Sequence, residues 1–358
     1  MTTRQGGSAV LGRLVAAALI SGAVTGEAWA LDEVTFGTNW KAQAEHGGYY
    51  QAVATGIYED YGLDVEVRPG GPQVNHSQLL AAGRIDFNME GSSGALNYVE
   101  NDIPMITVAS IFQKDPQIIM AHPDVGVESL ADLRGKPILI SAEARTTYWA
   151  WLKTEFGFSD DQIRPYTFNP GPFIADKDMA QQGYLTSEPL AIEREGGFQP
   201  KVFLLADNGY EPYSTTITTS IALTEDNPDL VQRFVDASIE GWVSYLYGDP
   251  TAANALIKED NPDITDEQLA YSIEKMKEYG IVDSGDTEEL GVGAMTDERW
   301  ETFANDMIKA GVHEPDLEWQ RAYTLQFVNK GVGLDLKAEL TGNRSPMSRS
   351  GPPLEHRL

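Results

Sequence analysis

Residues 34–67, VTFGTNWKAQAEHGGYYQAVATGIYEDYGLDVEV, constrain the fold more than any other stretch of the chain. A β-type run ends near Trp40, and a polar corner through Glu45-His46-Gly47-Gly48 follows. A Tyr-rich helical stretch then stops at Gly62 and feeds a second β-type run. Such a strand-helix-strand unit lays two strands parallel with a helix across one face. The same alternation recurs along the chain. VTFGTN, LDVEVRP, DFNM, MITVASIF, KPILIS, IRPYTF and KVFLLAD read as strands. The stretches 47–60, 75–83, 93–100, 128–133, 147–155, 175–183, 227–247, 265–279 and 296–309 read as helices. The pattern predicts an α/β protein built on parallel strands. In the long stretch 227–247, Phe234, Trp242 and Tyr245 recur at helical spacing and are assigned to core packing.

The two ends read differently from the middle. Arg4 and Arg13, the apolar run LVAAALISGAV and the small-x-small site Ala28-Trp29-Ala30 have the form of a secretory signal peptide over residues 1–30. The apolar run is shorter than the ~20 residues a spanning helix needs, so no membrane insertion is expected. The chain has no Cys, which rules out both disulfides and an acylated lipoprotein anchor, and leaves core burial to supply the stability. Acidic residues number 54 against 26 basic, a net charge of −28, which argues against nucleic acid and anionic membrane surfaces as partners. From Thr341 to the end, residues 341–358 are polar and rich in Gly, Pro, Ser and Arg, and are expected to be a disordered tail.

The roughly 310 residues between these ends exceed a comfortable single domain, so two lobes are expected. MITVASIF stops at a polar QKDP corner, and KVFLLAD leads through a Tyr-rich loop into another strand-like run. Both can carry the chain between lobes. The expected division is residues 31–114 plus 216–335 in one lobe and 115–215 in the other.

In an open parallel sheet, ligands bind at the carboxyl ends of the strands. Those ends carry Trp40, His46, Tyr49 and Tyr50 after the first strand, and Gly70-Gly71-Pro72-Gln73 after the second. Glu90-Gly91-Ser92 follows the third, and Glu143 through Arg145, Thr146 and Thr147 follows Ile140. Gly47, Gly48, Gly70, Gly71 and Gly91 are expected to let the backbone approach a ligand. Tyr49 and Tyr50 point to different faces of a helix, one toward the core and one toward the cleft, in an order the spacing leaves open. Tyr210 and Tyr213 lie beside the second crossover. Aromatic faces suit a flat ring, and carboxylates such as Glu90 suit its exocyclic amino groups. Arg145 with Thr146 and Thr147 at a helix start would instead suit an anion.

VTFGTNW, then HGGYYQAVATGIYEDYGLDVEV, LLAAGRIDFNM, SLADLRGKPILI and the helix beginning NPDLVQRFVDA occur in one order from Glu33 to Val332. That order resembles the periplasmic solute-binding proteins of ABC importers. Within them it is similar to the branch that binds thiamine-pyrimidine precursors, nitrate, sulfonates and taurine. WKAQAEHGGYY, GGPQ and QQGYLTSEP look most like the pyrimidine-precursor binders. The resemblance implies a type II periplasmic-binding-protein fold, two α/β lobes joined by two hinge crossovers. It places Trp40, Tyr184 and Glu188 in the ligand site. Tyr184 and Glu188 share a face if their segment is helical, although Pro189 favours extended geometry at Glu188.

The expected function is capture of a small heterocycle, a formylaminopyrimidine- or hydroxymethylpyrimidine-type precursor of thiamine, in the periplasm. Delivery would be to an ABC permease with its ATPase subunits, by a monomer with no cofactor, metal or catalytic step. A sulfonate, taurine or nitrate is the alternative ligand, and a sensor reporting ligand to a membrane partner is an alternative role. From another class, the pyrimidine synthases of this fold use a Lys-bound pyridoxal phosphate, a nearby His and a Cys-rich motif. The matching NMEGSSGALNYVEN here has no Lys or His, and the chain has no Cys. G-x-G-x-x-G, P-loop and G-x-S-x-G patterns are absent, and the His at 46, 76, 122, 313 and 356 have no metal-ligand spacing.

Overall fold

Ten strands form two separate sheets in the computed structural model, which describes residues 30–71 and 74–343. The expected signal peptide lies outside the described residues except for Ala30, and so does the expected tail beyond Asn343. The first sheet contains β1 (Asp32–Gly37), β2 (Leu63–Arg68), β3 (Phe87–Glu90), β4 (Met105–Phe112) and β10 (Ser214–Ser220), in the order β2-β1-β3-β10-β4. The second contains β5 (Gln117–Ala121), β6 (Ile138–Ile140), β7 (Ile163–Pro165), β8 (Ala180–Tyr184) and β9 (Lys201–Leu204), in the order β7-β6-β8-β5-β9. The chain passes from the first sheet to the second between β4 and β5, and returns between β9 and β10.

Those two passages explain why the sheets are mixed rather than all parallel. β1 runs parallel to β2 and β3, with Val34 opposite Val65 and Phe36 opposite Phe87, and β6 runs parallel to β7 and β8. β5 is antiparallel to β8 and β9, and β10 to β3 and β4. Parallel neighbours need a returning helix between them. Neither passage contains a helix of that kind, so each delivers its strand against the prevailing direction.

The helices are α1 (Gly47–Ala54), α2 (Ile57–Asp60), α3 (His76–Ala81), α4 (Ser92–Glu100), α5 (Ala142–Arg145), α6 (Tyr148–Phe156) and α7 (Gly171–Ala175). They continue as α8 (Glu188–Gly196), α9 (Ile221–Asp226), α10 (Pro228–Tyr247), α11 (Thr251–Asp260), α12 (Asp266–Glu278), α13 (Thr287–Leu290), α14 (Asp297–Lys309) and α15 (Leu334–Leu340). The helix expected over 47–60 is two helices, broken where Gly56 takes φ +76°. The helix expected over 175–183 is absent. There α7 ends and β8 begins, because Ala180 and Gln181 pair with Ile138 and Leu139 on one side while Gln181 pairs with Met120 on the other. Tertiary pairing overrides a segment whose composition favours neither state.

α10 packs its apolar stripe as the spacing implies, with Phe234, Trp242 and Tyr245 buried. Phe234 stacks on Phe87 at 4.1 Å between ring centroids and on Tyr58 at 5.6 Å. α1 crosses α10 so closely that a Cβ on Gly48 would sit 2.2 Å from Trp242 Cγ, and one on Gly47 would sit 2.1 Å from the Tyr245 ring. These two glycines serve helix packing rather than approach to a ligand, which corrects the expectation for the HGG corner. Gly70 is likewise committed to the backbone, since a Cβ there would lie 2.4 Å from the Thr38 carbonyl oxygen.

Candidate functional site

The carboxyl ends of β1 and β3 face those of β6, β7 and β8 across a cavity of about 620 Å³, with the two passages between the sheets contributing to its wall. The β1–α1 segment contributes Asn39, Trp40, Gln43 and Glu45, and the β3–α4 turn contributes Glu90 to Gly94. From the opposite side come Glu143, Thr146, Thr147 and Tyr148, then Phe168, then Tyr184, Ser187 and Glu188. Asp115 comes from the first passage with Gln117 at the start of β5, and Tyr210, Pro212 and Tyr213 come from the second with Ser214 and Thr215 at the start of β10. A smaller cavity of about 380 Å³ adjoins it, sharing Asn39 and Glu90 and lined further by Asn75, Ser77 and Asn88.

Of the residues singled out from sequence, Trp40, Glu90, Gly91, Thr146, Thr147, Tyr184, Glu188 and Tyr210 are brought together on this wall. Four are not. Tyr49 packs in the core against Phe36 at 4.3 Å and Trp242 at 5.9 Å. Tyr50 is buried as well, its hydroxyl donating to Asp260 Oδ2 at 2.6 Å. The expected division between core and cleft fails because α1 is sandwiched against α10 and α11, leaving neither Tyr on the cavity side. His46 is fully buried, and burial pushes its imidazole down to about 3. In that neutral form Nε2–H donates to Oδ1 of the cavity-lining Asn39 at 3.1 Å. Arg145 is exposed in the last turn of α5 and does not reach the cavity. Gln73 lies outside the described residues.

Glu188 is the first residue of α8, ahead of Pro189, and Tyr184 ends β8, so the two do not share a helix. The Glu188 carboxylate accepts from the Tyr184 amide at 2.8 Å and the Ser187 hydroxyl at 2.5 Å, and from the Tyr166 hydroxyl at 3.4 Å. Glu90 Oε2 accepts from the Ser77 hydroxyl at 2.9 Å and from the Tyr98 hydroxyl at 3.2 Å. Burial raises the Glu90 carboxyl above its ordinary range.

Sequence reasoning missed two further carboxyls. Glu45 is buried in the corner before α1, and its Oε1 accepts from the Thr186 hydroxyl. Thr186 belongs to the β8–α8 turn, and its carbonyl accepts from Gln268 Nε2 at 2.6 Å and Ser272 Oγ at 2.9 Å on α12. Burial pushes Glu45 up to about 7, against the lowering pull of that hydroxyl. Asp115, in the QKDP corner, is pushed up to about 7 by burial, with Glu143 adding in the same direction. Tyr148 lines the cavity with a buried hydroxyl that has no protein partner. Its phenol, like those of Tyr184 and Tyr210, is pushed up by burial and stays neutral.

Five carboxyl groups thus line the cavity, and among the described residues no Lys, Arg or His does. The wall offers acceptors, neutral hydroxyl donors and aromatic faces. Among the described residues no group of three or more His, Asp or Glu is placed to hold a metal ion, and no helix is long and apolar enough to cross a membrane.

Comparison with known proteins matches this architecture. The chain is 24% identical to the riboflavin-binding protein RibY of Chloroflexus aurantiacus over 309 residues, 84% of this chain and 87% of that one. It is 23% identical to the formylaminopyrimidine-binding protein of Halalkalibacterium halodurans over 264 residues, covering 69% and 79% of the two chains. Among solved structures, a putative periplasmic sulfonate-binding protein SsuA from Methylobacillus flagellatus superposes with a TM-score of 0.59 at 15% identity, covering 87% of this chain and 96% of the other. At that identity the likeness establishes the fold, that of the periplasmic binding proteins. Residues 43–253 match the family model described as NMT1/THI5 like, and the chain belongs to that family.

Proposed function

We propose that this chain is an exported solute-binding protein that captures a flat, amino-bearing heterocycle of the pyrimidine type used as a thiamine precursor, and delivers it to an ABC permease with its ATPase subunits. The observation that carries the reading is the composition of the cavity wall: carboxyls, hydroxyls and aromatic rings, with no cationic side chain among the described residues. Exocyclic amino groups donate to carboxylates, and a ring stacks on aromatic faces. A sulfonate, nitrate or phosphate would find no cationic partner there, and each carboxylate it met in the ionised form would cost ~1 to ~4 kcal/mol at close range. Arg145, the residue that kept the anion alternative open, is away from the wall. A synthase-type reaction finds no Lys, His or Cys on that wall among the described residues either.

In this reading residues 31–114 with 216–335 form one lobe and 115–215 the other, and the two passages are hinges. Residues 1–30 direct export to the periplasm, and the chain works as a monomer. Ligand bridges both lobes and shifts an open-closed equilibrium by its differential affinity for the closed form. Riboflavin is a second reading, favoured by the cavity volume, which falls in the range of ligands larger than one ring, and by the extent of the match to RibY.

The test is a thermal-shift and calorimetric comparison of formylaminopyrimidine, hydroxymethylpyrimidine, its phosphate, riboflavin, taurine, an alkanesulfonate and nitrate. A ligand at 100 times its Kd adds ~2.7 kcal/mol to stability. Binding of an unphosphorylated pyrimidine supports the first reading, and binding of riboflavin alone selects the second. Binding confined to a sulfonate or nitrate overturns both.

A further inference from the structure

Two aromatic side chains stand among the exposed large apolar residues of the described chain, Trp40 and Phe168, and both line the cavity. Trp40 follows β1 of the first sheet, and Phe168 follows β7 of the second. Their ring centroids are 6.2 Å apart with the planes tilted by 35°. Phe168 is 63% exposed, the most exposed of the large apolar side chains among the described residues. Its backbone is also strained, with φ +62° in the left-handed region that bulky residues avoid. The ring of Tyr166, whose hydroxyl donates to Glu188, lies 5.3 Å from that of Phe168.

We propose that Phe168 is a specificity-determining residue, the second wall of an aromatic clamp whose first wall is Trp40, and that the clamp selects planar ring systems. The inference deepens the proposed function and rests on it for where the ligand sits. A ring held between two others needs a van der Waals contact of ~3.5 Å on each side, so the walls must stand ~7 Å apart. The observed rings, with centroids 6.2 Å apart and planes 35° from parallel, must therefore open and rotate toward parallel to admit a third ring. Because the walls belong to different sheets, such a ring would bridge the two sides of the cavity. The left-handed backbone at Phe168 is a strained conformation of the kind that persists at ligand sites.

The test uses the full-length protein and a panel of planar probes, formylaminopyrimidine, hydroxymethylpyrimidine, riboflavin, adenine and quinoline, against non-planar taurine and an alkanesulfonate. Phe168→Ala and Phe168→Leu should each weaken a planar probe about tenfold, the loss of one stacking face, while Phe168→Tyr keeps the affinity. Leu preserves apolar contact without a π-face, so loss in Leu with retention in Tyr separates stacking from mere bulk. Circular dichroism and the melting temperature confirm that each variant folds. If a planar vitamin binds and Phe168→Ala leaves its affinity unchanged, the clamp is wrong while the proposed function stands. If only a planar compound outside the vitamin class binds, and weakens with Phe168→Ala, the clamp stands while the proposed ligand falls. Binding of no planar probe, or of the sulfonate alone, overturns both.

Discussion

A carboxyl buried in the cavity wall gives a pH effect whose sign is fixed by its surroundings. Glu45 is 4% exposed and burial raises it from the usual 4.5 to about 7, so between those values the folded chain holds a proton that the unfolded chain releases. The contribution favours folding fully below the unfolded pKa and is lost as pH rises through the folded one. At about 1.36 kcal/mol per pKa unit, the loss completed above neutral pH is about 3 kcal/mol. Glu45→Gln keeps an amide oxygen to accept from the Thr186 hydroxyl and removes the ionisation. The assay is urea unfolding of both proteins at pH 5 and pH 8. Since some of the cost is already present at pH 5, the stability advantage of Glu45→Gln should grow by about 2 to 3 kcal/mol between the two pH values. Asp115 titrates in the same direction in both proteins and cancels from the comparison. Parallel pH profiles, or a variant that loses more stability than the parent at pH 8, would refute the burial argument.

Two other substitutions test the frame around the cavity. Gly48→Ala would gain up to ~1 kcal/mol in an open helix, but here its Cβ would meet Trp242 at 2.2 Å, so chemical denaturation should show a loss of ~1 to 3 kcal/mol or more. A stabilised variant would mean that the α1–α10 contact is looser than described. Arg299 ties both passages together: Nε donates to the Glu211 carbonyl at 3.1 Å, Nη2 to the Pro212 carbonyl at 3.2 Å and to the Gln113 carbonyl, and the guanidinium lies 4.3 Å from the Tyr213 ring centroid. Arg299→Lys keeps the charge without the fork, so amide exchange at residues 113–117 and 211–215 should accelerate. Unchanged exchange there would remove Arg299 from any role in holding the passages.

What the sequence showed of the site follows from how each residue is held. Trp40, Glu90 and Thr147 were legible because a strand end in an α/β sheet points its next residues into the crevice whatever lies beyond. Tyr49 and Tyr50 were misplaced because helix rotation alone cannot say which faces are covered, and α1 is covered on two sides by α10 and α11. The Gly47-Gly48 pair was itself the missed signal, since adjacent glycines at a helix start allow a second helix to approach. β8 was missed because Ala-Gln-Gln-Gly-Tyr has no period of its own and becomes a strand only between β6 and β5. Asp115 was visible in the QKDP corner, but it was read as part of a crossing. That the crossing also walls the cavity depends on both sheets converging there.

The unpaired acidity of the wall decides how such a cavity can discriminate. Isolated ionised carboxylates in a half-buried cleft are costly, and the cost falls on Glu45 and Asp115 as raised pKa values near 7 rather than as five fixed charges. Each of these two groups therefore accepts a hydrogen bond readily from a neutral donor. Each can also give up its proton near neutral pH, at little further cost, when a donor with positive character arrives. A ligand carrying amino groups gains on both counts. One carrying a sulfonate or phosphate has no amino proton to offer these oxygens and finds no cationic side chain on the wall among the described residues. In the proposed reading the wall itself disfavours anions, before any contact specific to one ring is made, and leaves the aromatic faces to choose among the neutral and amino-bearing candidates.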